Sequence, residues 1–208
     1  MFKACSDMMM ARYWGHHLEA KRTNRDSDRL TVSRILRVNH AGELGAISIY
    51  AAQMALTGRN ENLRSFLEAT LIHEREHARQ FAGLMPTRNT RPCGAAPLWG
   101  VGGFILGVMT AVLGRNAILI CTEAVERTVH RHLDDQLEWL GARDLEVSAV
   151  ILQIQSQELG HLQYAQGEQD SKTPFGRVLD GFVTASTEAL LWLSTYGASG
   201  KMIRDIRH

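Results

Sequence analysis

The stretch 73-HEREH-77 can be read in two ways, and the choice between them decides the fold. Read as H-E-x-x-H, it puts His73 and His77 one helical turn apart with Glu74 between them, the pattern of a zinc protease. Read as E-x-x-H, only Glu74 and His77 count, and they form half of a paired-metal device. The zinc reading needs a third ligand, yet the next carboxylate after His77 is Glu123 and the next histidine is His130. Gln80 also stands where the longer metzincin pattern requires glycine.

The sequence on either side favours the second reading. Leu63, Leu67, Leu71, Ala78 and Phe81 recur at helical spacing; Glu74 lies within that apolar stripe and His77 borders it. Leu36, Ile47, Tyr50 and Met54 form a similar stripe around Glu43, and Leu119, Val129, Leu133 and Leu137 form one along Glu126. In a fourth segment Ile151, Ile154, Leu162 and Ala165 surround Glu158 and His161. Each of four helices therefore directs a carboxylate inward, where an unpaired charge is expensive.

The spacing offers a common explanation. Glu43 and Glu74 are 31 residues apart, and Glu126 and Glu158 are 32 apart. The two lone glutamates are offset by 83 residues and the two E-x-x-H pairs by 84, so the same device occurs twice. On a helix, residues i and i+3 share a face, so Glu and His can approach one metal together. Two helices with Glu and two with E-x-x-H form the donor set of di-iron and di-manganese carboxylate bundles. Glu123, one turn before Glu126, is an alternative ligand, although the regular internal spacing favours Glu126. Asn39, His40, Tyr50, His130 and His132 are candidates for orienting ligands, with ordinary polar positions as the alternative for each. His73 is expected on the helix surface or behind a ligand, and Glu76 in solvent.

Few other classes fit. A chain of 208 residues with 45% hydrophobic and 22% charged residues can bury one core and is not of disordered type. A net charge of +1 without a basic stripe argues against nucleic acid as a partner. Cys5, Cys93 and Cys121 show no C-x-x-C spacing, which suits a reducing compartment and no thiolate zinc site. The first residues lack a continuous apolar run, against a secretory signal. An organelle-targeting segment and a bacterial extension both remain open for a loosely ordered region 1–30.

Helices are expected at 31–57, 60–84, 116–140, 144–167 and 175–196, within a single all-α domain covering 31–208. The short turns "TGRN" (57–60) and "GARD" (141–144) should join antiparallel neighbours. Three of the four prolines, Pro86, Pro92 and Pro97, open a long crossover at about 86–114. Its uncharged run 92–114 reaches the length of a membrane span, but the strongly apolar part, 98–113, is short and rich in glycine. A buried crossover helix and a segment dipping into one leaflet are the leading expectations, ahead of a full crossing.

The blocks "RVNHAGELGAISIYAAQMAL", "HEREHARQF", "PLWGVGGFILGVMTAVLG", "EAVERTVHRHLDDQ" and "QELGHLQYA" resemble the demethoxyubiquinone hydroxylase family of ubiquinone biosynthesis, from about Arg34 to the C-terminal helix. The resemblance implies a ferritin-like four-helix bundle with a long apolar crossover and an additional C-terminal helix. It implies two iron ions per chain, held by Glu43, Glu74, His77, Glu126, Glu158 and His161, with Glu74 and Glu158 bridging. Asn39 stands where some members have Asp. The implied reaction is hydroxylation of a polyprenyl quinone ring with O₂ and two electrons, supplied by NADH or by the quinol itself. The implied setting is a membrane surface, on the cytoplasmic face of a bacterial inner membrane or the matrix face of the mitochondrial one, beside other ubiquinone-biosynthesis proteins. Residues 97–114 and part of 175–196 are then expected to face lipid. A rubrerythrin- or ferritin-like peroxidase or ferroxidase, and a non-catalytic quinone-binding bundle, are the competing readings.

Overall fold

The computed structural model describes residues 2–58, 60–170 and 173–195, with side chains from 26 to 193 within those ranges. Six helices follow in order: α1 (Phe2–Leu56), α2 (Glu61–Leu84), α3 (Ala96–Leu113), α4 (Arg115–Leu140), α5 (Leu145–Glu168) and α6 (Pro174–Thr195). One 3₁₀ turn, Pro86–Arg88, follows α2, and there is no strand among the described residues. The architecture is the expected all-α, ferritin-like bundle.

The two short turns work through their last residues. Asn60 caps α2 by accepting from the Leu63 amide, and Asp144 caps α5 by accepting from the Val147 amide. Each cap closes a hairpin, α1 with α2 and α4 with α5, and the two hairpins pack with their carboxylate-bearing faces inward. Arg88 braces the second cap, donating to both Asp144 oxygens at 2.7 and 2.8 Å and to Glu146 at 2.8 Å.

The first helix differs from expectation: it does not begin at 31, because residues 26–30 are already helical. No proline precedes Pro86, and Thr31 returns its hydroxyl to the Ser27 carbonyl within an unbroken turn. Most of the expected extension 1–30 falls where no side chains are described, so its packing lies outside the described residues.

The crossover forms α3, which is neither fully buried nor free of the protein. Trp99, Gly103, Gly107 and Thr110 form its buried face against α1. A Cβ on Gly103 would lie 2.3 Å from the Gly45 carbonyl oxygen, and one on Gly107 2.5 Å from that of Ile49, so glycine is what lets the backbones approach. The outer face exposes Leu98, Val101, Phe104, Ile105, Val112 and Leu113. This corrects the expectation of a buried crossover, since hydropathy alone does not reveal which face is covered. The helix is long and apolar enough to cross a membrane, with 22% of it buried in the protein. Gly114, at φ 97° and ψ −179°, then turns the chain directly into α4, in a region open essentially to glycine alone.

Helix α6 packs on α4 and α1 beside α3. Arg127 on α4 pins it by donating to Asp180 at 3.0 Å and to Thr184 at 3.2 Å. Phe175, Val178, Phe182, Trp192 and Leu193 remain exposed on α6.

Candidate metal centre

All six expected ligand residues meet in the centre of the bundle. Their donor atoms form two groups, Glu43, Glu74, His77 and Glu158 in one and Glu74, Glu126, Glu158 and His161 in the other, each spanning no more than 4.8 Å. Glu74 and Glu158 belong to both. The E-x-x-H helices α2 and α5 thus supply the shared carboxylates, and the lone-glutamate helices α1 and α4 each supply one terminal carboxylate.

Both histidines present Nδ1 to this cluster. His77 Nδ1 lies 3.1 Å from Glu158, 3.8 Å from Glu43 and 3.9 Å from Glu74. His161 Nδ1 lies 3.3 Å from Glu158, 3.5 Å from Glu74 and 3.6 Å from Glu126. The Nε2 atoms face away: that of His77 is 2.7 Å from Gln157 Oε1, and that of His161 is 3.0 Å from His73 Nδ1.

The donor set fits cations. His77 Nδ1, His161 Nδ1, Glu74 Oε1 and Glu158 Oε2 are buried without a hydrogen-bond partner, an arrangement that is costly unless something else satisfies them. Four carboxylates match the charge of two divalent ions, and oxygen with imidazole donors suits iron or manganese.

So many buried acids shift one another's titration. Burial, and then the Glu158 charge, push Glu126 up to about 8. Burial also raises Glu43 well above the usual carboxylate range. Burial alone would lower both histidines, but the surrounding carboxylates reverse it: His161 is carried up to about 10, and His77 rises as well. For Glu158, burial and Glu74 push upward, yet hydrogen bonds to Glu126, His161 and His77 leave it lowered. Metal binding therefore competes with protons held at these sites.

The structure separates the remaining candidates. Glu123 is held by Arg127 at 3.0 Å and by Gln169 at 2.7 Å, outside both groups, so Glu126 is the carboxylate at the centre. Tyr50, fully buried, donates to Glu126 at 2.5 Å. Asn39 pairs with Gln136, and His132 with Glu188, rather than with any of the six. His130 lies 4.0 Å from Asp134, and His40 Nδ1 has no hydrogen-bond partner. His73 belongs to neither group, which removes the zinc-protease geometry. Glu76 is exposed and pairs with Arg79, as expected of a solvated residue. Gln157 was not foreseen; its only signal is that it precedes Glu158 as His73 precedes Glu74.

A cavity of about 300 Å³ reaches the cluster. Glu43, Glu74, Glu126 and Glu158 form its floor, and its walls are apolar, with Trp99, Leu106 and Met109 from α3, Val129 from α4 and Phe182 from α6. It lies behind the same two helices that expose apolar side chains on the outside.

Comparison with known proteins identifies the family of the chain. The sequence model of the family described as ubiquinone biosynthesis protein COQ7 matches residues 30–194. A 3-demethoxyubiquinol 3-hydroxylase of Rhodospirillum rubrum is 38% identical over 165 residues, covering 78% of this chain and 77% of that protein. The NADPH-dependent 3-demethoxyubiquinone 3-hydroxylase, mitochondrial, of Homo sapiens is 36% identical over 170 residues, covering 80% and 78%. The 5-demethoxyubiquinone hydroxylase, mitochondrial, of Saccharomyces cerevisiae is 31% identical over 182 residues, covering 79% and 78%. The chain belongs to the COQ7 family of ubiquinone biosynthesis proteins.

Proposed function

We propose that this protein is a di-iron monooxygenase that hydroxylates the ring of a polyprenylated demethoxyubiquinone, or its quinol, in ubiquinone biosynthesis. The observation that carries the reading is the position of the twin carboxylate–histidine groups at the floor of an apolar cavity. The names of its relatives as demethoxyubiquinone and demethoxyubiquinol hydroxylases supply the substrate class.

Glu43, Glu74, His77 and Glu158 would hold one ion, and Glu74, Glu126, Glu158 and His161 the other. Iron held by these residues would supply the redox chemistry for dioxygen, which with two electrons from an external reductant and two protons would give one oxygen atom to the ring and one to water. The chain's own residues do the rest. Tyr50 fixes the orientation of Glu126 through its hydrogen bond. Trp99, Leu106, Met109, Val129 and Phe182 surround the ring with apolar surface and keep bulk water from the reacting carbon. A polyprenyl tail is accommodated by a route that opens toward lipid, and the exposed apolar faces of α3 and α6 suit attachment to the surface of an energy-conserving membrane. A peroxidase or ferroxidase leaves the apolar cavity without a use, and a non-catalytic bundle leaves the unpartnered donors without one.

The test is turnover of a short-tailed demethoxyubiquinone by vesicle-bound protein with a reductant under ¹⁸O₂. One ¹⁸O atom in the product ring is expected. Iron-loaded protein that consumes peroxide but leaves the quinone unaltered would select the peroxidase reading.

A further inference from the structure

The contacts behind the two histidines form a reciprocal pair. His73 immediately precedes Glu74 on α2, yet it bonds His161 on α5; Gln157 immediately precedes Glu158 on α5, yet it bonds His77 on α2. The His73 and His161 rings lie nearly coplanar and edge to edge, with planes 15° apart and centroids 5.3 Å apart, as an in-plane bond between the two nitrogens requires. Each E-x-x-H helix therefore carries, at the position before its shared glutamate, a residue that grips the other helix's histidine.

We infer that His73 and Gln157 are positioning residues that lock the tautomer and ring plane of His161 and His77 respectively, each governing one of the two metal positions from the opposite helix. The inference rests on the metal-centre reading above. For Nδ1 to offer a lone pair to a metal, the imidazole proton must sit on Nε2, where it needs an acceptor. Gln157 Oε1 can only accept in that role, and it fixes His77 directly. His73 accepts through Nδ1, which places its own proton on Nε2. The nearly coplanar rings meet edge to edge, so turning His161 about its Cβ–Cγ bond would swing Nε2 out of line with His73 Nδ1 and break the bond. The first histidine of "HEREH", His73, thus has a use, though not as a ligand: it acts one bond behind the other half-site.

The test is anaerobic titration of the metal-stripped full chain with ferrous iron, with Mössbauer spectra recorded at sub-stoichiometric and full loading. Wild-type protein is expected to take up two equivalents. His73→Leu is expected to keep one equivalent unchanged and to bind the other about ten- to a hundredfold more weakly. His73→Gln, which offers an amide oxygen as Gln157 does, is expected to restore the second equivalent. Gln157→Leu is expected to show the complementary defect, with its retained iron giving the spectrum that His73→Leu loses. The inference is overturned if His73→Leu titrates as wild type, or if His73→Gln is as defective as His73→Leu with a native melting temperature. Should His73→Leu fail to fold, His73→Asn, whose amide is one methylene shorter, takes its place in the contrast. Wild-type protein that binds no iron would defeat the metal-centre reading itself.

Discussion

The Tyr50 hydroxyl donates to Glu126 Oε1 across 2.5 Å, joining α1 to α4 at the centre of the bundle. Both groups are buried, so the bond has no competition from water and holds the carboxylate in one orientation. Tyr50→Phe is expected to keep the fold and to weaken iron binding at the Glu126 side by about tenfold or more, as outer-shell changes do. Binding isotherms for ferrous iron, compared with the melting temperature of the metal-free protein, check it.

The contact of Gly103 with Gly45 predicts a sharp contrast among glycines. Gly103→Ala places a methyl 2.3 Å from a carbonyl oxygen and must part α1 from α3. It is expected to destabilise by about 1–3 kcal/mol. Gly181→Ala, in α6 with open space around its Cβ, is expected instead to be neutral or to stabilise by up to about 1 kcal/mol through helix propensity. Thermal melts of both variants settle the matter.

Arg88 and Asp144 give stability a pH signature. The guanidinium holds the Asp144 carboxyl below its usual range, with the amide of Val147 helping. A carboxylate depressed in the folded state stabilises above its unfolded pKa, and that stabilisation is lost as pH falls through the folded value. Arg88→Met is therefore expected to cost about 1–3 kcal/mol near neutrality. The difference from wild type should shrink once the medium is acidic enough to protonate Asp144. Urea melts across pH measure it; a difference that does not change with pH would mean that Arg88 acts through packing alone.

The exposed faces of α3 and α6 predict where charge should detach the protein from lipid. Val101 and Phe104 are 60% and 58% exposed and lie outside the cavity, whereas Ile105 and Leu106 line it. Val101→Glu with Phe104→Glu is expected to abolish sedimentation with anionic vesicles while the metal-free melting temperature stays near wild type. Full sedimentation of that variant would show that another surface carries the attachment.

Much of this was legible in the sequence because the carboxylate–histidine device is written twice. Duplicated spacing picked out Glu43, Glu74, His77, Glu126, Glu158 and His161 from four helical stripes, and "TGRN" and "GARD" marked the two turns. Glu123 and Glu126 remained alternatives because both lie on the buried face of α4; an ion pair with Arg127, a tertiary matter, separates them. Gln157 gave no signal beyond its place before Glu158, since an amide beside a glutamate on a helix edge looks solvated until the facing helix is in place. The role of His73 depended on the same pairing. Whether α3 was covered could not be decided from hydropathy, since what seats one face on α1 is the close fit of Gly103 and Gly107 against its backbone.

The measurement that bears most directly on the central claim is the metal content of anaerobically purified protein beside Glu158→Ala, which removes a carboxylate common to both groups. The account predicts about two irons per chain in the wild type and loss of both in the variant. A single zinc that survives Glu158→Ala but disappears in His73→Ala would contradict it and return 73-HEREH-77 to the protease reading.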